Sequence, residues 1–309
     1  MKSSRLVTLY ATGLLLLSLG GSALLLRKLD QTRSHATLQE VLYVPSPKVL
    51  KRLSLGYDAL LADIYWTRAV QYFGGRHAQG EQEFKLLGPL LEIATTLDPH
   101  LTVAYEYGAQ FLSVKPPNGA GDPAKAAELL KFGIERNPES WRLYYNLGFV
   151  YYMEFKDYGS AADAFARGSQ VPNAHPFLRI LAGRMAEHAG DLQMARLMWS
   201  TSYQSTTEKS IRANAAAHLR ALQVDEEVPA LESLVERYKV LTGHLPAKLS
   251  DLVAAHMLRE VPLDPVGNPY QLSSDGQIEV LVPDDLPFIQ EGLPLGYKAP
   301  FKAKLLPVD

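Results

Sequence analysis

The sequence predicts a mainly α protein: an α-solenoid of helix hairpins, preceded by a transmembrane helix and followed by a small α+β module with a β-hairpin. Three observations predict it. Residues 6–26 run without a charge. Small residues, aromatics and prolines recur through the middle of the chain at a period of 34 to 39 residues. Near the C-terminus, Asp264-Pro-Val-Gly-Asn-Pro-Tyr270 cannot be helix, because two prolines, a glycine and an asparagine break it, and a short alternating strand pattern follows. These features divide the chain into a transmembrane signal anchor (1–30), a linker and cap (31–56), a solenoid (57–222) and an α+β module with a C-terminal tail (223–309).

At the N-terminus, the 21 uncharged residues LVTLYATGLLLLSLGGSALLL would span a hydrocarbon core of roughly 30 Å as a helix rising about 1.5 Å per residue. A cleavable signal peptide has a shorter apolar core of about 7–15 residues. Arg27-Lys28 follows the run directly, and Ser34-His-Ala36 resembles a cleavage site only weakly, so an uncleaved anchor is expected. Lys2 and Arg5 stand on one side and Arg27, Lys28 and Arg33 on the other, so charge alone gives no orientation. Residues 41–75 then begin with Val44-Pro-Ser-Pro47 and continue with Leu50, Leu53, Leu55, Leu60, Leu61, Ile64 and Trp66 at mixed helical spacings. This reads as a cap helix covering the solenoid end, with an amphipathic dock for a membrane partner as the alternative.

In the middle, helix ends are marked by Leu97-Asp-Pro99, Arg136-Asn-Pro138 and Gln170-Val-Pro172. Upstream come Gly133; then Leu147-Gly148, Tyr151, Ala161, Phe165 and Gly168; then Gly183, Ala186, Gly190, Ala195 and Trp199. The pattern resembles the tetratricopeptide repeat. That resemblance implies pairs of antiparallel helices, with small residues where the helices of a pair approach and aromatics filling the holes between them. Three units over about 101–205 match. An earlier one, about 60–100, is degenerate, with a long linker at Gly74–Gly80, and Lys115-Pro-Pro-Asn-Gly-Ala120 lengthens the turn of the second. Stacked units bury what one hairpin cannot.

From Ile211 the pattern stays helical to about Thr242, and Pro229 is expected to open a second helix, since proline suits a first turn. Val228, Leu231, Leu234, Val235, Tyr238 and Leu241 then share a face. The following order is Gly243 and Pro246, a short Leu-rich helix at 250–258, the Asp264–Tyr270 turn and Gly276-Gln-Ile-Glu-Val-Leu-Val282. It resembles the soluble part of type II secretion major pseudopilins and related type IV pilin-like proteins over roughly residues 225–282. Val266 stands where that pattern has tryptophan, and the hydrophobic pilin helix is missing from this position, so the chain is not expected to be a pilus subunit. Some members of that family bind calcium after the hairpin. Asp264, Asp275, Asp284 and Asp285 supply hard oxygens but no ligand spacing, and are read as solvated turn carboxylates.

The totals restrict function. Hydrophobic residues make up 47% and charged residues 21% of 309, which is ordinary for a globular chain. A formal net charge of -2 gives no general attraction to nucleic acid or anionic lipid, so no nucleic-acid partner is expected. Cysteine is absent, which removes disulfides, thiol catalysis and zinc–cysteine sites. No P-loop, His-Glu-x-x-His or Gly-x-Ser-x-Gly occurs, and His188 and His218 read as surface or packing residues. No enzymatic activity, cofactor or metal is therefore expected. The aromatic run Trp141–Tyr152 divides by repeat register. Tyr144, Leu147 and Tyr151 fall on packing positions. Tyr145, Phe149 and Tyr152, with Tyr105 one unit earlier and Arg184 and His188 one unit later, fall on the face of a partner-binding groove. The combined expectation is a non-enzymatic, membrane-anchored scaffold. Its protein partners would bind the groove and its membrane contact would run through residues 6–26. It would sit in the inner membrane with its bulk in the periplasm, in an envelope, secretion or pilus-type assembly. The alternative is an accessory or assembly subunit of a membrane enzyme or transporter complex.

Overall fold

The structure, a computed structural model, describes residues 2–33, 45–300 and 304–306. Ser34–Ala36 and residues 41–44 of the expected cap lie outside the described residues. The chain forms two units, Met1–Ser46 and Pro47–Asp309.

The first unit holds helix α1, Lys2–Arg33. Its described leucines, Leu14–Leu17, Leu19, Leu24 and Leu25, are all exposed. Among the described residues no helix is long and apolar enough to cross a membrane, so the expected transmembrane segment has no structural support.

The second unit is mainly helical. Four helix pairs follow one another: α3 (Asp58–Ala78) with α4 (Leu87–Leu97), α5 (Thr102–Ser113) with α6 (Pro123–Arg136), α7 (Trp141–Val150) with α8 (Tyr158–Ser169), and α9 (Phe177–Ala189) with α10 (Leu192–Ser205). Each helix packs on the next in the chain, and α5 also touches α7 while α4 touches α6. A first helix thus neighbours a first helix and a second helix a second one at these places, an order compatible with a solenoid. Pro99, Pro138 and Pro172 each stand just past the end of a second helix. Asp122, Asp157 and Asp191 cap α6, α8 and α10, each accepting a backbone N–H three residues on. Close approach within pairs is enforced by glycine. A Cβ on Gly148 would stand 2.5 Å from the Phe165 ring, and one on Gly183 would stand 2.9 Å from Trp199. The π-helical turn Tyr151–Phe155 extends α7.

One expectation is corrected here. The Gly74–Gly80 linker is largely helix, because α3 runs through Gly74 and Gly75 to Ala78. A short helix α2 (Pro47–Leu53) buries no residue and packs on α4, whereas α3 is itself the first helix of a pair. Leu53, Leu55, Tyr57, Leu60 and Ile64 are consequently exposed.

Helix α11, Lys209–Thr242, carries the chain from the helix pairs into the C-terminal module. It contains Pro229 without a break, so the expected second helix does not start there. Val224, Val228, Leu231 and Val235 are buried on both sides of the proline, so one apolar stripe continues across it despite the missing N–H. Ala215 and Leu222 belong to the core of the last two helix pairs. From Ala221 onward α11 packs on Leu249 and Leu252 of α12 (Leu249–Ala254), Tyr270, Ile278, Val280, Leu286 and Ile289. The β-hairpin is short: β1 (Gln271–Leu272) pairs antiparallel with β2 (Ile278–Glu279). In the preceding turn Asp264 Oδ1 accepts the amides of Val266 and Asn268, and Gly267 supplies a φ of +94°.

Candidate binding groove

The first helices α5, α7 and α9 together line a cavity of about 400 Å³. Glu106, Tyr107 and Gln110 come from α5, Trp141, Arg142, Tyr145 and Asn146 from α7, and His175, Phe177 and Leu178 from the start of α9. Tyr107 is 48% exposed and Phe177 45%, while Leu178 is buried and forms the floor. Polar groups surround these aromatics. The Asn146 side-chain amide donates to the Arg142 carbonyl (3.0 Å), and His175 Nδ1 accepts the Phe177 N–H (3.2 Å). The Glu106 carboxyl is pushed above its ordinary value by burial, and the Arg142 guanidinium pulls it part of the way back.

From this cavity an aromatic ladder runs along α7. Trp141 meets Tyr145 edge-on at 6.3 Å between ring centroids, Tyr145 meets Phe149 at 4.7 Å, and Phe149 meets Tyr152 at 6.3 Å. Tyr152 continues to Tyr158 at 6.1 Å, and Tyr158 to His188 at 5.4 Å. Tyr145, Phe149 and Tyr152 therefore share one face, as their spacing predicts, but they are half-buried against the core rather than freely projecting.

Of the six groove residues expected from sequence, Tyr145 lines the cavity. Phe149, Tyr152 and His188 extend the ladder beyond it, and Arg184 is exposed on α9 outside the lining. Tyr105 is a correction. It is fully buried, and its hydroxyl donates toward the carbonyls of Pro99 (3.2 Å) and Thr95 (3.4 Å). Burial raises its phenol pKa further, with the Asp98 charge adding to it. The cause is a one-residue slip in repeat register. Tyr105 sits against Gly133, and Tyr144 in the next pair sits against Gly168, so Tyr105 corresponds to Tyr144 and not to Tyr145. The six-residue insertion in the α5–α6 turn hides this in the raw spacing. Placing Tyr105 on Tyr144 moves the expected groove position on α5 to Glu106.

Both histidines singled out on helices have packing or surface roles. His218 is 5% exposed and lies between the rings of Trp199 and Phe288, each stacked at 4.0 Å. Glu187 Oε1 accepts from both the Trp199 indole N–H (2.7 Å) and His218 Nδ1 (2.8 Å). The four aspartates considered for calcium each have protein partners. Asp264 holds its own turn, Asp275 takes the Ser273 hydroxyl, Asp284 the Tyr297 hydroxyl and Asp285 the Lys304 ammonium. Among the described residues no group of His, Asp and Glu is arranged to hold a metal ion.

No protein-family model matches the chain, and no characterised protein matches it in sequence.

Proposed function

We propose that the chain is a non-enzymatic scaffold that binds a segment of a partner protein in the α5–α7–α9 groove. One observation carries this reading. Two aromatic side chains, Tyr107 and Phe177, stand nearly half-exposed around a cavity whose walls also present Glu106, Gln110, Arg142 and Asn146. Exposed aromatics supply contact area to a partner, while carboxylate, guanidinium and carboxamide groups can pair with its backbone and charges. The tetratricopeptide-like order of helix pairs supports the same reading, since such repeats bind along their first helices. The uncharged run at 6–26 is the sequence basis for tethering this scaffold to the inner membrane. The pilin-like turn at Asp264–Tyr270 is the basis for placing its bulk in the periplasm, within an envelope or secretion assembly.

The groove is tested by placing a photo-crosslinking residue at Tyr107 in the full chain and identifying what it captures in cells. Changing Tyr107 and Phe177 together to Ala is expected to remove the same partner from an affinity pull-down while leaving helicity and melting unchanged, because both rings are exposed. Undiminished recovery of the partner would overturn the groove assignment. A cytoplasm-dependent reporter enzyme fused after Asp309 is expected to be inactive, and an active fusion would overturn the periplasmic placement alone.

A further inference from the structure

At one end of the row of helix pairs, α10 is covered by α11. At the other end, the edge made by α2, the turn after it and the start of α3 leaves its apolar side chains in the open. Val49, Leu53, Leu55, Tyr57, Leu60 and Ile64 are all exposed. Val49 and Leu53 stand four residues apart on α2, and Tyr57, Leu60 and Ile64 stand three and four apart from the N-cap of α3 onward, so each helix presents its apolar residues as one stripe.

The turn between the stripes holds an apolar tip outward. Ser54 is buried beneath it, with its hydroxyl in hydrogen-bond reach of the Lys51 carbonyl (2.9 Å) and of the Asp58 carboxylate. The Tyr57 amide donates to the Ser54 carbonyl (2.9 Å) and closes the turn. Leu55 at the apex has a φ of +50°, a conformation that glycine or asparagine adopts with less strain. It is 87% exposed and adds nothing to the core.

Charge and shape decide what meets this edge. Lys48 and Arg52 are exposed and flank the α2 stripe by helical spacing. Lys51 is exposed as well and donates to the Thr96 carbonyl on α4 (3.1 Å). Against these cations stand Asp58, engaged with Ser54, and Asp63, exposed to one side of the α3 stripe. Cations beside exposed leucines and a tyrosine form the pattern of a segment lying in a bilayer interface. There the leucines enter the acyl boundary, the phenol sits at headgroup level and the cations meet lipid phosphates. A fluid bilayer also takes in a protruding apex without a complementary pocket.

We propose that the α2–α3 edge docks on the surface of an anionic bilayer, with Leu53, Leu55, Tyr57 and Leu60 in the interface and Lys48 and Arg52 against lipid phosphates. The proposal rests on the tether reading of residues 6–26 for proximity alone: only residues 27–46 separate the uncharged run from α2, so a tethered chain meets the bilayer at high effective concentration.

The chain has no cysteine, so Leu55→Cys carries a single label. The full chain with an environment-sensitive fluorophore at 55 is mixed with phosphatidylcholine vesicles with and without about 25% phosphatidylglycerol, and Leu197→Cys, exposed on α10, is the reference. The label at 55 is expected to brighten and to escape a water-soluble quencher on the anionic vesicles only, and the label at 197 on neither. Lys48→Glu together with Arg52→Glu is expected to weaken this response about tenfold or more, with circular dichroism unchanged because both side chains are exposed. A label at 55 that stays open to the quencher on anionic vesicles overturns the proposal. So does equal shielding on neutral vesicles, or shielding that the charge reversal leaves intact. Shielding that grows with protein concentration in the absence of vesicles also overturns it, and marks a second copy of the chain as the occupant. Flotation with neutral vesicles reads the tether separately. A chain that floats while its label at 55 stays in water on both kinds of vesicle keeps the tether and loses the docking edge. One that fails to float with neutral vesicles while the label enters anionic ones loses the tether and keeps the edge.

Discussion

The two ends of helix α11 hold their neighbours by different physics. Its N-terminal half joins a core made by shape. Phe165 and Trp199 fill notches over Gly148 and Gly183, and the buried surfaces are alanine, leucine and aromatic rings. Its C-terminal half holds a thinner module partly by carboxylates. Asp225 Oδ1 accepts the amides of Gln290 and Glu291, Glu227 Oε2 accepts the Tyr270 hydroxyl at 2.6 Å, and Glu232 Oε1 accepts the Ile278 amide. A repeat can bury each hairpin on the next, so shape suffices. A module with two-residue strands has few ladder hydrogen bonds, and its loop amides are satisfied by side chains of the helix beneath.

The difference is largest where shape is removed. Trp199 is fully buried, fills the Gly183 notch, covers one face of His218 and donates to Glu187. Trp199→Ala is expected to cost about 3–5 kcal/mol, read as a lowered denaturant midpoint for the whole second unit. Because Phe288 stacks on the opposite face of His218, exchange of the amides around 286–290 should also quicken. If those amides keep their protection while α9 and α10 lose theirs, the ring sandwich does not couple the helix pairs to the module.

Those contacts also mark the limit of what could be read from residues alone. The helix pairs were legible because each packs on its chain neighbours, so glycines, aromatics and prolines recur at a fixed period. The Asp264–Tyr270 turn was legible because its side chains bond within four residues. The Glu187–Trp199–His218–Phe288 cluster was not, since it joins four elements across about a hundred residues with no periodic trace. The groove was half legible. Tyr145 was found, and a one-residue slip put Tyr105 where Glu106 belongs, while Tyr107 and Phe177 were missed because repeat spacing marks packing positions and these two exposed rings occupy none. Pro229 misled for a similar reason: a local rule predicted a helix start, and burial of Val228 and Leu231 overrode it.

In the module a smaller loss is expected from a single hydroxyl. Tyr270→Phe keeps the buried ring but removes the bond to Glu227, which should cost about 1–2 kcal/mol. Burial is the main reason the Tyr270 phenol pKa is raised, and the bond to Glu227 adds to it. The matched measurement is urea unfolding of parent and variant, followed by the near-ultraviolet signal. A loss confined to the module, with the helix pairs unchanged, sharpens the contrast between the two halves. No loss at all would mean that the module, too, stands on shape.

The smallest effect concerns Asp225 and has a definite sign. Its carboxyl pKa is raised above the ordinary value of 3.8, chiefly by burial, although the amides of Glu291 and Gln290 pull it down. A carboxyl with a raised folded pKa binds its proton more tightly in the native state. Its ionisation therefore lowers stability as pH climbs from 3.8 through the folded pKa, and the cost persists above that window. Asp225→Asn keeps an oxygen to accept both amides and has no charge to bury. The variant should match the parent in acid and become the more stable of the two as pH rises, by less than about 1 kcal/mol because solvent screens this partly exposed group. Unfolding midpoints measured from pH 3 to 8 decide it. If the gap opens in favour of the parent instead, the charge strengthens the two amide bonds by more than its desolvation costs. The carboxylates along α11 would then be net holders of the module rather than acceptors tolerated for their geometry.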